Sequence, residues 1–321
     1  MSLRHLVTGG AGFIGSNIVE RLLEDGESVR VLDDLSTGRR SNLDFVARTP
    51  GFDSRFELLE GDIRDADICR RAVAGVDTIF HEAALPSVQR SVEDPLASHA
   101  VNASGTLQLL VAARAAGVRR VVYASSSSVY GDTPTLPKRE SDPTRPQSPY
   151  AVAKLTAEQY VRSFHHVYGF EGVALRYFNV FGPRQNPESQ YAAVIPRFIR
   201  NVMRGEPVDI YGDGEQSRDF TFVENVVQAN LLAARSKAAP GKAYNIACGG
   251  RISLNELLQV LGRVLDVAPR PNHLAPRAGD IKHSQADIAM AEAELGFRCT
   301  VSVEDGLRRT VEHFQSLSRA S

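Results

Sequence analysis

Three glycines, Gly9, Gly12 and Gly15, stand between a short apolar run and an amphipathic one, and they constrain the chain more than any other feature. Leu3-Arg4-His5-Leu6-Val7-Thr8 reads as a strand, and residues 16–24 read as a helix with Ile18, Val19, Leu22 and Leu23 on one side. Asp25-Gly26 ends that helix, and residues 28–33 form a second strand. The order strand, glycine turn, helix, strand is one βαβ unit. Glycine suits such a turn because bare backbone can approach a pyrophosphate there, with the phosphate charge at the positive end of the helix. Asp33 closes the second strand, about 20 residues past the turn, where an acid accepts hydrogen bonds from adenosine ribose hydroxyls. Its charge repels a 2′-phosphate and selects NAD over NADP, although Arg39 and Arg40 pull the other way. A glycine turn alone is equally a tight connection without a ligand. Here the flanking strand, the helix and the acid together specify a dinucleotide site. Its first members are Gly9, Gly12, Phe13, Ile14, Gly15, Asp33, Asp34, Ser36 and Gly38.

Composition removes several other classes. The chain has 321 residues, a formal net charge of −1, 43% hydrophobic and 23% charged residues, which is ordinary for a soluble globular protein. That balance gives no sign of attraction to nucleic acid or membrane, and no apolar run approaches the ~20 residues of a membrane span. The sequence enters a strand at once, without a leader segment, so a cytoplasmic location is expected. Cys69, Cys248 and Cys299 are odd in number and far apart, and are expected to be reduced, partly buried thiols rather than disulfides or metal ligands.

Further along, strand and helix patterns keep alternating. Residues 56–60 read as a strand ending at Asp62 and Ile63; Asp62 either reaches the adenine amino group or caps the following helix. Residues 76–80 form another strand, followed by His81, expected to be a packed histidine, and by the small residues Ala83 and Ala84 beside the cofactor. A long helical region at 94–117 contains Asn102, counted with the cofactor site. The strand at 118–124 delivers Ser125, Ser126, Ser127 and Ser128 to the sheet edge where ligands bind. Tyr150 and Lys154 lie four residues apart and share one face of a helix running to about Tyr168. An ammonium beside the phenol is expected to lower the tyrosine pKa, making Tyr150 a general base with Ser126 on the same substrate hydroxyl. The strand at 173–178 carries Tyr177. Regular alternation then stops, with a helix at 192–204, strands at 208–211 and 217–223, a helix at 224–234 and a strand at 243–246. Helices at 253–265, capped by Ser253 and Glu256, and at 303–314 complete the pattern. The expected fold is α/β: a Rossmann-type doubly wound parallel sheet with a smaller mixed α/β substrate-binding domain. Residues 1–178 plus about 218–248 are assigned to the NAD-binding domain, and 179–217 plus 249–321 to the other, with substrate between them.

Several stretches together resemble the extended short-chain dehydrogenase/reductases, in the nucleotide-sugar epimerase/dehydratase family, most closely its UDP-glucose and UDP-N-acetylglucosamine (UDP-GlcNAc) 4-epimerases. They are Thr8 to Gly15, Asp33-Asp34, Ser125 to Gly131, Ser148 to Lys154, Leu175 to Gly182, Gly212 to Phe220 and Arg277 to Asp280. The resemblance implies tightly bound NAD and inversion of carbon 4 through a 4-keto sugar. It implies Asn179, Arg218 and Arg277 on the diphosphate, Ala193, Val194 and Tyr211 at the uracil, and Asp280 on a ribose hydroxyl. Family dehydratases carry two acids after the catalytic hydroxyl, where this chain has Ser127 and Ser128; decarboxylases carry a Glu in that loop, and glucuronate epimerases usually show Thr at position 179. A gate beside the sugar 2-substituent falls on Ser284, small enough to admit an N-acetyl group, and Ser87 with Gln89 or Arg90 falls at the sugar. UDP-GlcNAc/UDP-GalNAc is therefore the expected pair, with UDP-Glc/UDP-Gal as a second one. A UDP-glucuronate epimerase and an idle NAD-binding sensor are the alternatives; sensors usually lose the Tyr-Lys pair or the arginines kept here. Helices at 95–116 and 151–168 match those that make a four-helix homodimer interface in the family. No metal is implied.

Overall fold

A computed structural model of the chain describes residues 5–187, 193–276 and 282–320, with the backbone alone for 318–320. Strands β1 (His5–Thr8), β2 (Val29–Asp33), β3 (Phe56–Glu60), β4 (Thr78–His81), β5 (Arg120–Ser126) and β6 (Glu171–Tyr177) join the Ala243–Ile246 strand in one seven-stranded sheet. Its order is Ala243–Ile246, β6, β5, β4, β1, β2, β3, and every pairing is parallel. Apolar side chains cover both faces, as a parallel sheet flanked by helices requires. On one side Ile18, Leu22, Phe80 and Val226 pack together; on the other Leu6, Ile79, Leu110 and Val161 do so. The winding reverses between β1 and β4, which opens a crevice at their C-terminal ends.

The smaller layer has its own core, built from Phe198 and Ile199 of the Val194–Met203 helix, Ile210 of the Val208–Tyr211 strand, Leu257 and Leu261 of the Leu254–Leu265 helix, and Leu307 of the Val303–Ala320 helix. The two cores interleave along the sequence. Phe220 and Phe222 pack with the smaller layer, while Ala291, Leu295 and Phe297 return to the sheet. The capping box at Ser253 and Glu256 is present. Among the described residues no helix is long and apolar enough to cross a membrane.

Three local expectations change. The strand anticipated at 217–223 is two short pieces: Ser217–Arg218 pairs antiparallel with Ile252–Ser253, and Thr221–Phe222 pairs in parallel with Val180–Phe181. The long helix at 94–117 is Pro95–His99, a π-helical stretch at Ala100–Gly105, then Thr106–Ala115. Asn102 turns its amide onto Leu85 there, and Gly105 lies so close to Ile63 that a Cβ would meet its side chain at 2.8 Å. Finally, Cys248 and Cys299 form a disulfide; only Cys69 stays a buried thiol, its pKa pushed up to about 12 by burial. The two cysteines are 51 residues apart in sequence, yet the buried Asn225 draws their segments together by bonding Thr300 and Val301 on the cysteine-bearing turn.

Candidate active site

The crevice holds a cavity of about 1090 Å³, and the glycine turn forms one end of it. Gly9 has φ +69°, and a Cβ on it would lie 2.7 Å from the Ala83 nitrogen; on Gly15 a Cβ would lie 2.2 Å from the Gly9 carbonyl oxygen. The turn thus closes tightly onto β4 and onto itself, and it starts the Phe13–Glu24 helix three residues earlier than the apolar period suggests. That helix has no side-chain cap and no acid in its first turn, so its N–H groups and positive dipole end are left for an anion at the cavity. Gly15→Ala is expected to leave purified protein without dinucleotide, and to lower its Tm by several degrees; nucleotide released on denaturation and a melting curve measure the two effects.

Asp33 is buried, its two oxygens accepting the Ala11 and Leu35 N–H groups at 2.8 Å each, and burial raises its pKa. Asp34 ties down Ser36. Gly38 does not face the cavity; it lies on the Asp33 carboxylate, and its neighbours Thr37 and Arg39 line the wall. Asp62 lines the wall with Ile63 and is paired with Arg64, which holds its carboxyl below the usual range. It is not a helix cap, because Asp65 caps the Ala66–Val73 helix by accepting the Asp67 and Ile68 N–H groups.

At the other end Ser126, Tyr150 and Lys154 converge on the same wall. Ser148 caps the Pro149–Tyr168 helix and Pro149 sets its first turn, which fixes Tyr150 there. Tyr150 and Ser126 stand on the same wall, and the Ser126 Oγ accepts from the Ser128 backbone N–H at 3.2 Å and the Ser128 hydroxyl at 2.9 Å. Lys154 Nζ donates to the Ala124 carbonyl at 2.8 Å and sits 6.0 Å from the Tyr150 ring centre. Burial presses the lysine pKa down to about 8 against the pull of Glu82. Burial also pushes Tyr150 up to about 12, opposed by Ser126 and reinforced by Glu82. The expectation of a tyrosine acidified by its lysine is therefore corrected for the protein alone. The ammonium is committed to a backbone carbonyl, and desolvation of the phenolate outweighs it.

Ser87, Ala83, Ala84, Ser125, Ser128, Tyr177, Asn179 and Ala193 also reach the wall. Asn179 holds a positive φ of 36° and donates to the Asp219 carbonyl at 3.1 Å. Besides Gly38, six anticipated residues do not reach it. Asn102 braces Leu85 through both its N–H and C=O. Ser127 lies in the Ser127–Tyr130 turn behind Ser126, and Val194 packs on the smaller core. Tyr211 ends its strand away from the wall, Arg218 donates to the Ser217 and Lys282 carbonyls, and the Ser284 N–H is tied to Ser217. Arg277 and Asp280 lie outside the described residues. His81 is packed between Thr8 and Thr106 and kept neutral by burial, its pKa near 3.

Several wall residues had no signal in the sequence. Glu82 is half-buried on the cavity lining and accepts the Tyr177 hydroxyl at 2.8 Å; burial lifts its pKa to about 7. Arg184, Gln185 and Arg197 add positive and polar groups near Asn179 and Ala193. Arg184-Gln185 directly follows the Gly182-Pro183 turn, the one local hint available.

Comparison with known proteins agrees with this geometry. The profile of the NAD dependent epimerase/dehydratase family matches residues 5–247. A UDP-glucose 4-epimerase of Mycolicibacterium smegmatis is 40% identical over 99% of this chain and 100% of its own length. The UDP-N-acetylglucosamine 4-epimerase of Methanobrevibacter ruminantium, solved with UDP-N-acetylmuramic acid, superposes with a TM-score of 0.92 at 42% identity, covering 98% and 99% of the two chains. The UDP-glucose 4-epimerase of Thermus thermophilus, solved with NAD, superposes with a TM-score of 0.86 at 37% identity over 97% and 99%.

Proposed function

We propose that this chain, which belongs to the NAD-dependent epimerase/dehydratase family, inverts carbon 4 of UDP-hexoses, with UDP-GlcNAc and UDP-GalNAc as its preferred pair and UDP-Glc and UDP-Gal also accepted. The observation that carries this reading is that Tyr150 stands with Ser126 and Lys154, whose Nζ is 6.0 Å from its ring centre, on the wall of the same cavity as the glycine turn. The family's NAD fits that cavity: a tight glycine turn at an uncapped helix start suits its pyrophosphate, and Asp33 closes the adenosine side. Held by the glycine turn and Asp33, NAD would supply the acceptor and donor for the carbon 4 hydride. Tyr150 removes the proton from the 4-hydroxyl and returns it, and Ser126 holds that oxygen in reach. Lys154 supplies positive charge that favours the phenolate once the site is filled and water is excluded. Because hydride goes out and back within one turnover, the cofactor is read as tightly held.

For the substrate, the family resemblance assigns Asn179, Arg218 and Arg277 to the diphosphate, Ala193, Val194 and Tyr211 to the uracil end, and Asp280 to a ribose hydroxyl; of these Arg218, Val194 and Tyr211 stand off the cavity wall in this structure. Asn179 and Ala193 already stand on the wall, as do Ser87 and Gln89 for the sugar. The preference for an N-acetylated sugar rests on likeness to the Methanobrevibacter enzyme and on the small side chain at position 284, although Ser284 stands off the cavity wall here with its N–H tied to Ser217. Ser127 and Ser128 supply no acid for dehydration. A homodimer is inferred from apolar side chains left in water on the helices at 88–115 and 149–168, among them Val92, Leu96, Val152 and Tyr160.

The test is turnover of UDP-GlcNAc and UDP-Glc, separately and without added NAD, with 4-epimers read by NMR. Several-fold faster conversion of UDP-GlcNAc is the expected outcome. Conversion of UDP-Glc alone would overturn the substrate preference, and conversion of neither would overturn the epimerase.

A further inference from the structure

We infer that Glu82 is the counter-charge of the cofactor's reactive end: its carboxylate holds the nicotinamide ring in the oxidised, cationic state and sets how readily bound NAD is reduced. The inference rests on the epimerase reading above and assigns Glu82 a role in it. Glu82 follows β4 directly, and its N–H donates to the Thr8 carbonyl, so its backbone is fixed at the switch point beside the glycine turn. The register His81 to Tyr123 puts Glu82 level with Ala124 on the neighbouring strand, about 5 Å away. Ala124 is the residue whose carbonyl holds the Lys154 ammonium. Tyr177 comes from the next strand and is paired level with Ser126. The carboxylate therefore stands on the wall among Ser126, Tyr150, Lys154 and Tyr177, at the end away from Asp33. That is the end where a ring exchanging hydride beside Tyr150 must lie.

Its side-chain hydrogen bond, from Tyr177, favours the charged form against the burial that raises its pKa. The Tyr177 hydroxyl donates to Oε1 at 2.8 Å and is itself held by Asn230 Nδ2 at 2.8 Å; among the described residues nothing else bonds Glu82 through its side chain. A carboxylate on the cavity lining with one oxygen held by Tyr177 can face a cation in that cavity. The titratable groups packed about it are His81 on its own strand, Tyr123 of β5, Tyr177 of β6, and Tyr150 and Lys154 of the Pro149–Tyr168 helix. Burial keeps His81 neutral and the three tyrosines protonated, so Lys154 is the sole cation the protein itself sets against Glu82 among them.

In the oxidative half of the proposed turnover NAD bound there would supply the acceptor for the hydride released as the C4–H bond breaks, and its ring would lose the positive charge that Glu82 faces. The hydroxyl proton passes to Tyr150, and the return half reverses both transfers. A fixed negative charge opposes the loss of ring charge, so it favours return of hydride over escape of the keto sugar with reduced cofactor left behind.

The experiment is a redox titration of the bound cofactor in wild-type, Glu82→Gln and Glu82→Asp holoenzymes against a mediator dye, reading the near-ultraviolet absorbance of dihydronicotinamide. Glutamine keeps the Tyr177 hydrogen bond and removes the charge. At a fixed dye potential its reduced-to-oxidised ratio is expected to rise on the order of tenfold, with the aspartate variant near wild type. The gap should widen as pH rises through the Glu82 pKa, which is about 7 in the protein alone and lower beside a cation. Equal ratios in all three proteins, or equal shifts in both variants, would overturn the inference. If the glutamine variant holds no cofactor, the wild-type titration decides: a ratio with no inflection at or below pH 7 overturns it too. Epimerisation measured on the same wild-type preparation keeps the two readings apart, since absent turnover sinks the epimerase and unchanged potential with normal turnover sinks Glu82 alone.

Discussion

Tyr150→Phe is expected to lower turnover by about 10³-fold and to leave the NAD content of purified protein unchanged. Phenylalanine fills the same space, so the Pro149–Tyr168 helix and its Ser148 cap stay as they are. What disappears is the phenol hydroxyl on the wall beside Ser126, the group assigned to take the sugar proton. Without it an alkoxide would have to form in a desolvated cavity with only a serine to meet it, which is why the loss falls on kcat rather than on binding. In the protein alone burial holds Tyr150 near pKa 12, so the base form is scarce at neutral pH. Activity should therefore depend on whatever lowers that pKa in the loaded site, and kcat should climb with pH until the tyrosine is ionised. Turnover in Tyr150→Phe within a few-fold of wild type would refute the assignment of the base.

The first half of the fold was legible because its physics is periodic. Each strand is a short apolar run, each helix carries a stripe, and Gly9, Gly15 and Asp33 mark where backbone must come close or an acid must meet a turn. The second half was harder because its strands are set by partners far away in sequence. Ser217–Arg218 and Thr221–Phe222 read as one strand until Ile252–Ser253 and Val180–Phe181 claim them separately. The disulfide escaped for the same reason: Asn225 brings the two cysteine segments together, and no spacing rule encodes that. Within the site, the residues set in a recognisable pattern, the glycine turn, Ser126, Tyr150 and Lys154, stand together on the cavity wall, while Glu82 beside them has no pattern to mark it. It lies between a histidine and an alanine, and its altered acidity follows only from its burial beside Tyr177. Lys154 had the opposite fate: its place was clear, but its bond to the Ala124 carbonyl depends on where β5 ends.

Glu158→Ala is expected to cost about 3–5 kcal/mol of folding stability, the largest single loss among substitutions away from the cavity. Glu158 lies one turn beyond Lys154 on the same helix and is fully buried, as is nearly all of Arg176 on β6. The guanidinium meets the carboxylate through two bonds, Nη2 to Oε1 at 2.6 Å and Nε to Oε2 at 3.0 Å, while the Ser125 hydroxyl donates to Oε2 at 2.6 Å. Arg176 also donates to the Tyr130 hydroxyl at 2.7 Å, which in turn donates to Asn245 at 2.6 Å, so the chain of bonds spans helix, β5, β6 and the Ala243–Ile246 strand. Alanine would leave a guanidinium buried without its counter-charge and a serine hydroxyl without its acceptor, and both losses count in full because no water reaches them. Replacing both partners by methionine should recover most of the stability, since it removes the stranded charge and refills the space. Denaturant unfolding of the two variants and the wild type measures this, with the midpoint read at unchanged slope. A loss below about 1 kcal/mol in Glu158→Ala would mean that the pair is as weak as a surface one. The helix that presents Tyr150 and Lys154 would then be held against the sheet by its apolar face alone, through Ala157, Val161 and Phe164.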